Sequence, residues 1–362
     1  MWAVARPDAL RVLSDEKCKR SLRRYFSILN EGRLAKFKIA RTVGAEFSTD
    51  ASLQELWSAH SDAIRNYWKA EEALDQTNQM SNVSEASSSL LKLKEEIAKR
   101  IIARCSFCHR RCGVNRDIGE SGFCGCGDQV ELSSYFQHMG EEPELVPSGT
   151  IFTYGCTMRC LHCQNWTISQ HLEARNICST SALASIVDHL GRSGSRNVNL
   201  VGGDPTSWLY HWLDTFTRVK ENIPVVWNSN SYYSEETALL LGGFVDLYLL
   251  DFKYGPESCA EQISSAPEYW QVATRNHLAA KESGELIIRV LVLPGHNECC
   301  TKPILTWISK NLGSETRINL MDQYRPEWRA EEVENLGRRL TRSEFEEACQ
   351  IARKAGLVNV IS

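Results

Sequence analysis

From residue 150 onward the chain alternates short β-branched or apolar runs with amphipathic helical stretches, and each run closes on Gly, Asn or Asp. Nothing else in the sequence restricts the fold as strongly. The pattern predicts strands near 150–154, 198–202, 223–229, 246–252, 286–293 and 317–321, with helices near 180–192, 207–221, 234–242, 301–311 and 342–355. Repeated strand–helix–strand units imply parallel pairing, because a parallel neighbour is reached only through a crossover. Six units predict an α/β fold with a parallel sheet, doubly wound or curled into a partial barrel. In either form the chemistry belongs to the loops that follow the strands.

The first 149 residues have a different texture. Residues 1–104 lack glycine-punctuated strand runs and carry helical stretches at 21–37, 53–74 and 90–103, so they predict a helical extension. Residues 76–89 are polar and serine-rich, which predicts a linker. A cysteine-rich segment covers 105–149, and the βα units occupy 150–362. The 41 basic and 45 acidic residues nearly cancel, which argues against a wholesale nucleic-acid coat. Locally, residues 15–46 are basic; this is a solvated helix face or a docking patch for RNA or an acidic partner. No secretion signal and no apolar run long enough for a membrane are visible, so the expected location is cytoplasmic, without a membrane partner.

Fourteen cysteines are many for a chain expected in a reducing compartment, and eight of them fall between Cys105 and Cys163. Directly after the first predicted strand, Cys156, Cys160 and Cys163 are spaced C-x3-C-x2-C. A structural zinc or an electron-transfer cluster takes four protein ligands, so three imply a metal position kept open. A zinc site completed by His162 or a remote residue is the alternative. Upstream, Cys105, Cys108, Cys112 and Cys124 are spaced C-x2-C-x3-C-x11-C, with Cys126 to spare. Four thiolates close a site, but spacing does not separate zinc from a second Fe–S cluster, and a metal-free cysteine-rich turn is the bland alternative. Cys18, Cys178, Cys259, Cys299, Cys300 and Cys349 show no ligand spacing and read as ordinary thiols.

The C-x3-C-x2-C loop after the first strand of a βα barrel resembles the radical S-adenosylmethionine (SAM) superfamily. More narrowly, Gly155 to Asn165, Val201 to Thr206, Trp227 to Asn230, Leu250 to Lys253, Arg289 to Gly295 and Met321 to Pro326 resemble proteins related to pyruvate formate-lyase activating enzyme, in particular the PflX-like group. The resemblance covers residues 105–357 and implies a partial (β/α)6 radical SAM barrel, behind a helical extension and a cysteine-rich metal-binding segment. It implies that Cys156, Cys160 and Cys163 hold a [4Fe–4S] cluster whose fourth iron chelates SAM. One electron then cleaves SAM to methionine and a 5′-deoxyadenosyl radical, which abstracts hydrogen from a substrate.

The same resemblance distributes the cofactor contacts. His162 lies beside the adenine. Gly202, Gly203 and Asp204 receive the SAM amino group, with Asp standing where the family more often has Glu. Asn228, Ser229 and Asp251 lie near the ribose, the carboxylate or a cation. Period-two alternation puts Leu249, Asp251 and Lys253 on one strand face, where a plain Asp251–Lys253 ion pair is the simpler alternative. Arg289 interrupts an apolar strand, and its planar guanidinium suits the SAM carboxylate, with a structural ion pair as the alternative. His296, Gln323, Tyr324 and Arg325 sit where a substrate would approach. The implied electron donor is a flavodoxin or ferredoxin; two outcomes stay open for the substrate, a glycyl-radical enzyme activated as a partner protein, or another protein, an RNA or a small molecule that gives up hydrogen, and no catalytic residue is assigned. A competing expectation is a non-catalytic Fe–S or zinc protein that binds RNA or an acidic partner.

Overall fold

The computed structural model describes residues 2–77, 84–171 and 176–362; residues 78–83 of the expected linker lie outside them. Eight strands form one sheet in chain order: β1 (Leu132–His138), β2 (Ser148–Thr153), β3 (Asn197–Leu200), β4 (Val225–Ser229), β5 (Leu247–Asp251), β6 (Glu285–Leu291), β7 (Arg317–Met321) and β8 (Val360–Ile361). β1 is antiparallel to β2, and every later pairing is parallel. The helices Thr180–Arg192, Leu209–Phe216, Glu235–Leu241, Tyr269–Ser283, Lys302–Leu312 and Arg342–Lys354 make the crossovers. This is the expected α/β partial barrel, with the six predicted strands in place. β1 escaped prediction because it is a half-exposed edge strand whose adjacent Tyr135 and Phe136 break the alternation. Tyr269–Ser283 escaped because its buried face includes polar Asn276 and His277.

Side-chain alternation sorts the lumen into two levels. Val226 and Leu247, with Leu249 and Ile287 above them, pack against Val12, Leu22, Tyr25 and Phe26 of the N-terminal helices. Residues 12–29 thus plug the amino end of the barrel, and each apolar side chain buried there contributes roughly 1.5–3 kcal/mol. One residue pair further along the same strand faces come Asn228, Asp251 and Arg289, and the lumen turns polar. The plug is also held electrostatically. Glu285 accepts from the Arg24 and Tyr25 amides at 2.6 and 2.7 Å, at the start of the helix Arg23–Glu31. Arg24 pairs with Asp246 at 3.0 Å, and Lys38 and Arg41 donate to the Val219 carbonyl at 3.2 and 2.6 Å. Several charges of the basic 15–46 stretch therefore dock the extension onto its own barrel. The helix expected over 21–37 is interrupted at Gly32, whose φ of 70° provides the left-handed cap.

A further lysine is buried without a carboxylate. Lys94, on the helix Leu90–Ile102, sits 2.8 Å from His60 Nε2 and donates to the Leu239 carbonyl at 3.1 Å. Burial pulls the ammonium from its ordinary 10.5 down to about 7. Between those values the unfolded chain holds a proton that the folded chain does not, so stability rises from pH 7 toward pH 10. A Lys94→Met substitution is expected to remove an increment on the order of 4 kcal/mol across that window. Urea unfolding at pH 7 and 9.5 on both proteins checks it; parallel pH dependences would refute it.

Candidate active site

The loop that leaves β2 at its carboxyl end opens onto a cavity of about 390 Å3. Cys156, His162, Cys160 and Cys163 line it from that loop, Gly202 and Gly203 from the turn after β3, and Asn228 and Ser229 from the end of β4. Asp251, Lys253 and Arg289 complete the wall from β5, its following loop and β6. Residues spread over more than 130 positions of sequence converge because parallel strands present all their carboxyl ends on one side.

Asp204 is placed differently. Its Oδ1 accepts from the Thr206 amide at 3.0 Å, and its Oδ2 from Ser229 Oγ and the Asn230 amide at 2.9 and 2.8 Å. The carboxylate ties the β3 turn to the end of β4, and burial holds its pKa above the ordinary value. The glycine pair before it is demanded by backbone contact. A methyl group on Gly203 would collide with the Gly155 carbonyl, and one on Gly202 with Thr153. Here Gly203 N donates to Thr153 O, and Asp204 N to Gly155 O, both at 2.9 Å. Gly203→Ala is expected to cost on the order of 3 kcal/mol, because the contact is backbone on backbone and cannot yield. Gly127→Ala, at an open position, should stay within about 0.5 kcal/mol of the parent. Equal urea midpoints for the two variants would contradict this.

The thiol environments suit thiolates bound to iron. Cys156 Sγ accepts from the Met158 amide at 3.4 Å and from Asn230 Nδ2 at 3.5 Å, and Cys163 Sγ lies 3.2 Å from Ser169 Oγ. Burial drives the Cys156 pKa well above its ordinary value and that of Cys160 up to about 11, although Lys253 opposes the rise at Cys160. Such groups need a bound cation to ionise. A single zinc would draw its thiolates to about 3.8 Å from one another. Among the described residues these three sulfurs do not close within 4.8 Å as a group, an open triangle that suits a cluster giving each thiolate its own iron. His162 is engaged instead by Tyr254, whose Oη lies 2.9 Å from its Nε2, and burial, with Lys253, lowers its pKa to about 3. It stands as a neutral ring beside Tyr324, at 5.8 Å between ring centres.

The charged wall is more elaborate than the sequence suggested. Lys253 and Asp251 pair at 2.7 Å. Burial alone would lower the Lys253 pKa, but Asp251 and the Cys160 thiol outweigh it and hold the ammonium charged. Arg289 grips Glu142 through both Nε and Nη2, at 2.6 and 2.7 Å, and also pairs with Glu141, while Nη1 donates to Asn228 Oδ1 at 3.2 Å. His138 Nδ1 reaches Glu141 at 3.1 Å. Glu141 and Glu142 were missed by sequence reasoning, although Arg289 in an apolar strand signalled that an acid had to meet it. Of the residues expected at the substrate approach, Gln323 lines the cavity and Tyr324 packs on His162. Arg325 pairs with Glu327 at 3.2 Å, and His296 bonds the Pro294 carbonyl.

Behind the cysteine loop lies a second, smaller chamber, lined by Cys105, Cys108, Cys112 and Cys124. Thr206 and Ser207 also line it; the buried Thr206 hydroxyl has no protein partner, and that of Ser207 faces the Cys124 and Cys126 thiols. Thr157 closes it toward the main cavity, so the two spaces stand back to back across the Cys156–Thr157 peptide. Arg159 fixes that peptide by donating to the Cys156 carbonyl at 2.9 Å, and Arg110 fixes the next one by donating to the Thr157 carbonyl at 2.7 Å. Cys126 lies outside the chamber, with its sulfur against the Cys124 and Tyr154 carbonyls.

Comparison with known proteins places this geometry. Residues 150–308 match the family model for the radical SAM superfamily. An uncharacterised protein of Methanocaldococcus jannaschii is 43% identical over 343 residues, covering 93% of this chain and 98% of that protein. Among solved structures, Streptococcus suis SuiB bound to its precursor peptide SuiA aligns with a TM-score of 0.40 at 14% identity, over 83% of this chain and 62% of that one. The same protein bound to S-adenosylmethionine aligns with a TM-score of 0.42 at 12% identity, over 83% of this chain and 61% of that one.

Proposed function

The chain belongs to the radical SAM superfamily, and on that premise we propose that it is an enzyme that cleaves SAM reductively at a [4Fe–4S] cluster held by Cys156, Cys160 and Cys163. The observation that carries the reading is the convergence of an open three-cysteine loop with polar strand ends in one cavity. When bound, the cluster and SAM supply an electron and a sulfonium, and breaking the C5′–S bond yields methionine and a 5′-deoxyadenosyl radical. The chain's own residues bind and orient. The Gly202–Gly203 turn offers backbone groups to an amino acid head, Arg289 Nη1 with Asn228 offers donors to a carboxylate, and Asp251 and Ser229 are polar partners for a ribose. The neutral His162 ring offers a face for the adenine.

We read the four thiols of the second chamber, Cys105, Cys108, Cys112 and Cys124, as the ligands of a second iron–sulfur cluster, with zinc as the alternative; the Thr206 hydroxyl beside them has no protein partner and is available as a donor to sulfide or thiolate. Cys112 is the exposed ligand, the side from which a flavodoxin- or ferredoxin-type donor would deliver the electron. For the substrate, we take the PflX-like relationship as the working branch and a glycyl-radical protein as the first to test.

The experiment is anaerobic: the chain is reconstituted with iron and sulfide, SAM is added, and 5′-deoxyadenosine is quantified with and without a strong reductant. The nucleoside should form only with the reductant. An iron-loaded, reduced protein that leaves SAM intact would replace this reading with a non-catalytic metal protein.

A further inference from the structure

Three cysteines that spacing left as ordinary thiols meet in space. Cys259 opens the helix Cys259–Ser264 after β5, while Cys299 and Cys300 lie in the turn Asn297–Thr301 that leads from β6 into the helix Lys302–Leu312. Their sulfurs all lie within 4.8 Å of one another. Cys259 Sγ is 3.7 Å from Cys299 Sγ, which is 3.8 Å from Cys300 Sγ. These spacings are those of tetrahedral zinc thiolates: Zn–S bonds of about 2.3 Å at the tetrahedral angle put neighbouring sulfurs about 3.8 Å apart. They are too short for a cluster that gives each thiolate its own iron, and a disulfide would use two sulfurs and leave the third without a role.

The backbone holds the two loops together independently of any ion. A methyl group at Gly255 would collide with the Cys299 carbonyl, so the loop after β5 lies directly on the turn that carries the pair. Cys300 is buried, whereas Cys259 and Cys299 are half-buried, so the group is closed underneath and open on one side. Among the described residues no imidazole or carboxylate joins the three within the same range.

We infer that Cys259, Cys299 and Cys300 form a mononuclear zinc(II) site with three thiolate ligands and a fourth position that faces solvent. Loading releases the three thiol protons and changes no oxidation state. The ion clamps the loop after β5 to the turn after β6. The first of these loops carries Lys253 and Tyr254, and Tyr254 holds His162, so the clamp borders the main cavity without lining it. This inference does not depend on SAM cleavage.

The test uses the full chain with its iron–sulfur sites already filled, titrated anaerobically with Co2+ alone and then with Zn2+. One further equivalent of Co2+ should bind with thiolate-to-cobalt charge-transfer absorption and be displaced by Zn2+. Cys259→Ser and Cys299→Ser, both at half-buried positions, should weaken that binding at least tenfold at unchanged iron and sulfide content. In the parent, Zn2+ should slow alkylation of Cys259 and Cys299 at least tenfold by peptide mass spectrometry, a readout that needs no variant to fold. Equal Co2+ isotherms in parent and variants, alkylation indifferent to Zn2+, a Cys259–Cys299 disulfide in the anaerobic protein, or iron lost from the variants would each overturn the assignment.

Discussion

Cys160→Ala is expected to abolish formation of 5′-deoxyadenosine, reducing it to the level without enzyme, while the protein remains folded and retains iron in the chamber of Cys105, Cys108, Cys112 and Cys124. The reason is stoichiometric. A cluster that leaves one iron for SAM has three protein ligands and none in reserve, and the sulfurs nearest the loop are already engaged elsewhere. Cys126 is pinned between two carbonyls, and Cys259 belongs to the other three-sulfur group. Cys112→Ala, at the exposed ligand of the second chamber, should show the reverse: the SAM-responsive spectroscopic signal of the reduced protein persists and the other signal is lost. Iron analysis and electron paramagnetic resonance with and without SAM check both. Substantial nucleoside from Cys160→Ala would mean that the open iron is held by other residues.

The second large effect is structural. Arg289→Met removes the cation from between Glu141 and Glu142, both nearly inaccessible to solvent, and breaking a buried pair in this way costs on the order of 3–5 kcal/mol. Its pH dependence identifies the cause. In the parent, burial would raise the Glu141 pKa, but Arg289 and His138 outweigh it and hold the carboxyl below the ordinary range. The folded chain therefore binds that proton more weakly than the unfolded one, and stability falls as pH drops through the carboxyl range. Without Arg289 burial prevails, the folded pKa rises above the unfolded value, and stability falls instead as pH climbs from about 4.5 toward neutrality. The gap in unfolding free energy between parent and variant, from urea titrations, should thus be wider at pH 7 than at pH 5. If the gap is the same at both pH values and below about 1 kcal/mol, the arginine is not the partner that holds these acids. SAM affinity measured on the more conservative Arg289→Lys separates the binding role, because lysine keeps the charge but loses the two-pronged grip on Glu142.

The charge arrangement leaves one arginine free for the second purpose proposed for it, binding a carboxylate. Nε and Nη2 are held by acids from the segment between β1 and β2, which fixes the guanidinium plane, and Nη1 beside Asn228 is left nearest the polar strand ends. A side chain locked in this way loses little freedom when a carboxylate arrives. Lys253 is held similarly by Asp251. The cavity is preorganised by ion pairs, one between β6 and the segment that precedes β2 and one between the end of β5 and its following loop.

The sequence by itself determined the parallel αβ sheet, the strand ends that line the cavity, and the three-cysteine loop that follows β2. Those features are local: a run of β-branched residues, a helical period and a thiol spacing are each legible within about twenty positions. The tertiary structure decided what depends on distant residues meeting. It turned Asp204 into a tie between β3 and β4, joined Arg289 to Glu141 and Glu142, and drove Tyr25 and Phe26 into the barrel floor. It also gathered Cys259, Cys299 and Cys300, whose sequence separation hides them from any spacing rule. The physical reason is common to all four. A buried charge or thiol is defined by whatever faces it, and in a barrel of parallel strands the facing group comes from another strand or loop, tens to hundreds of residues away.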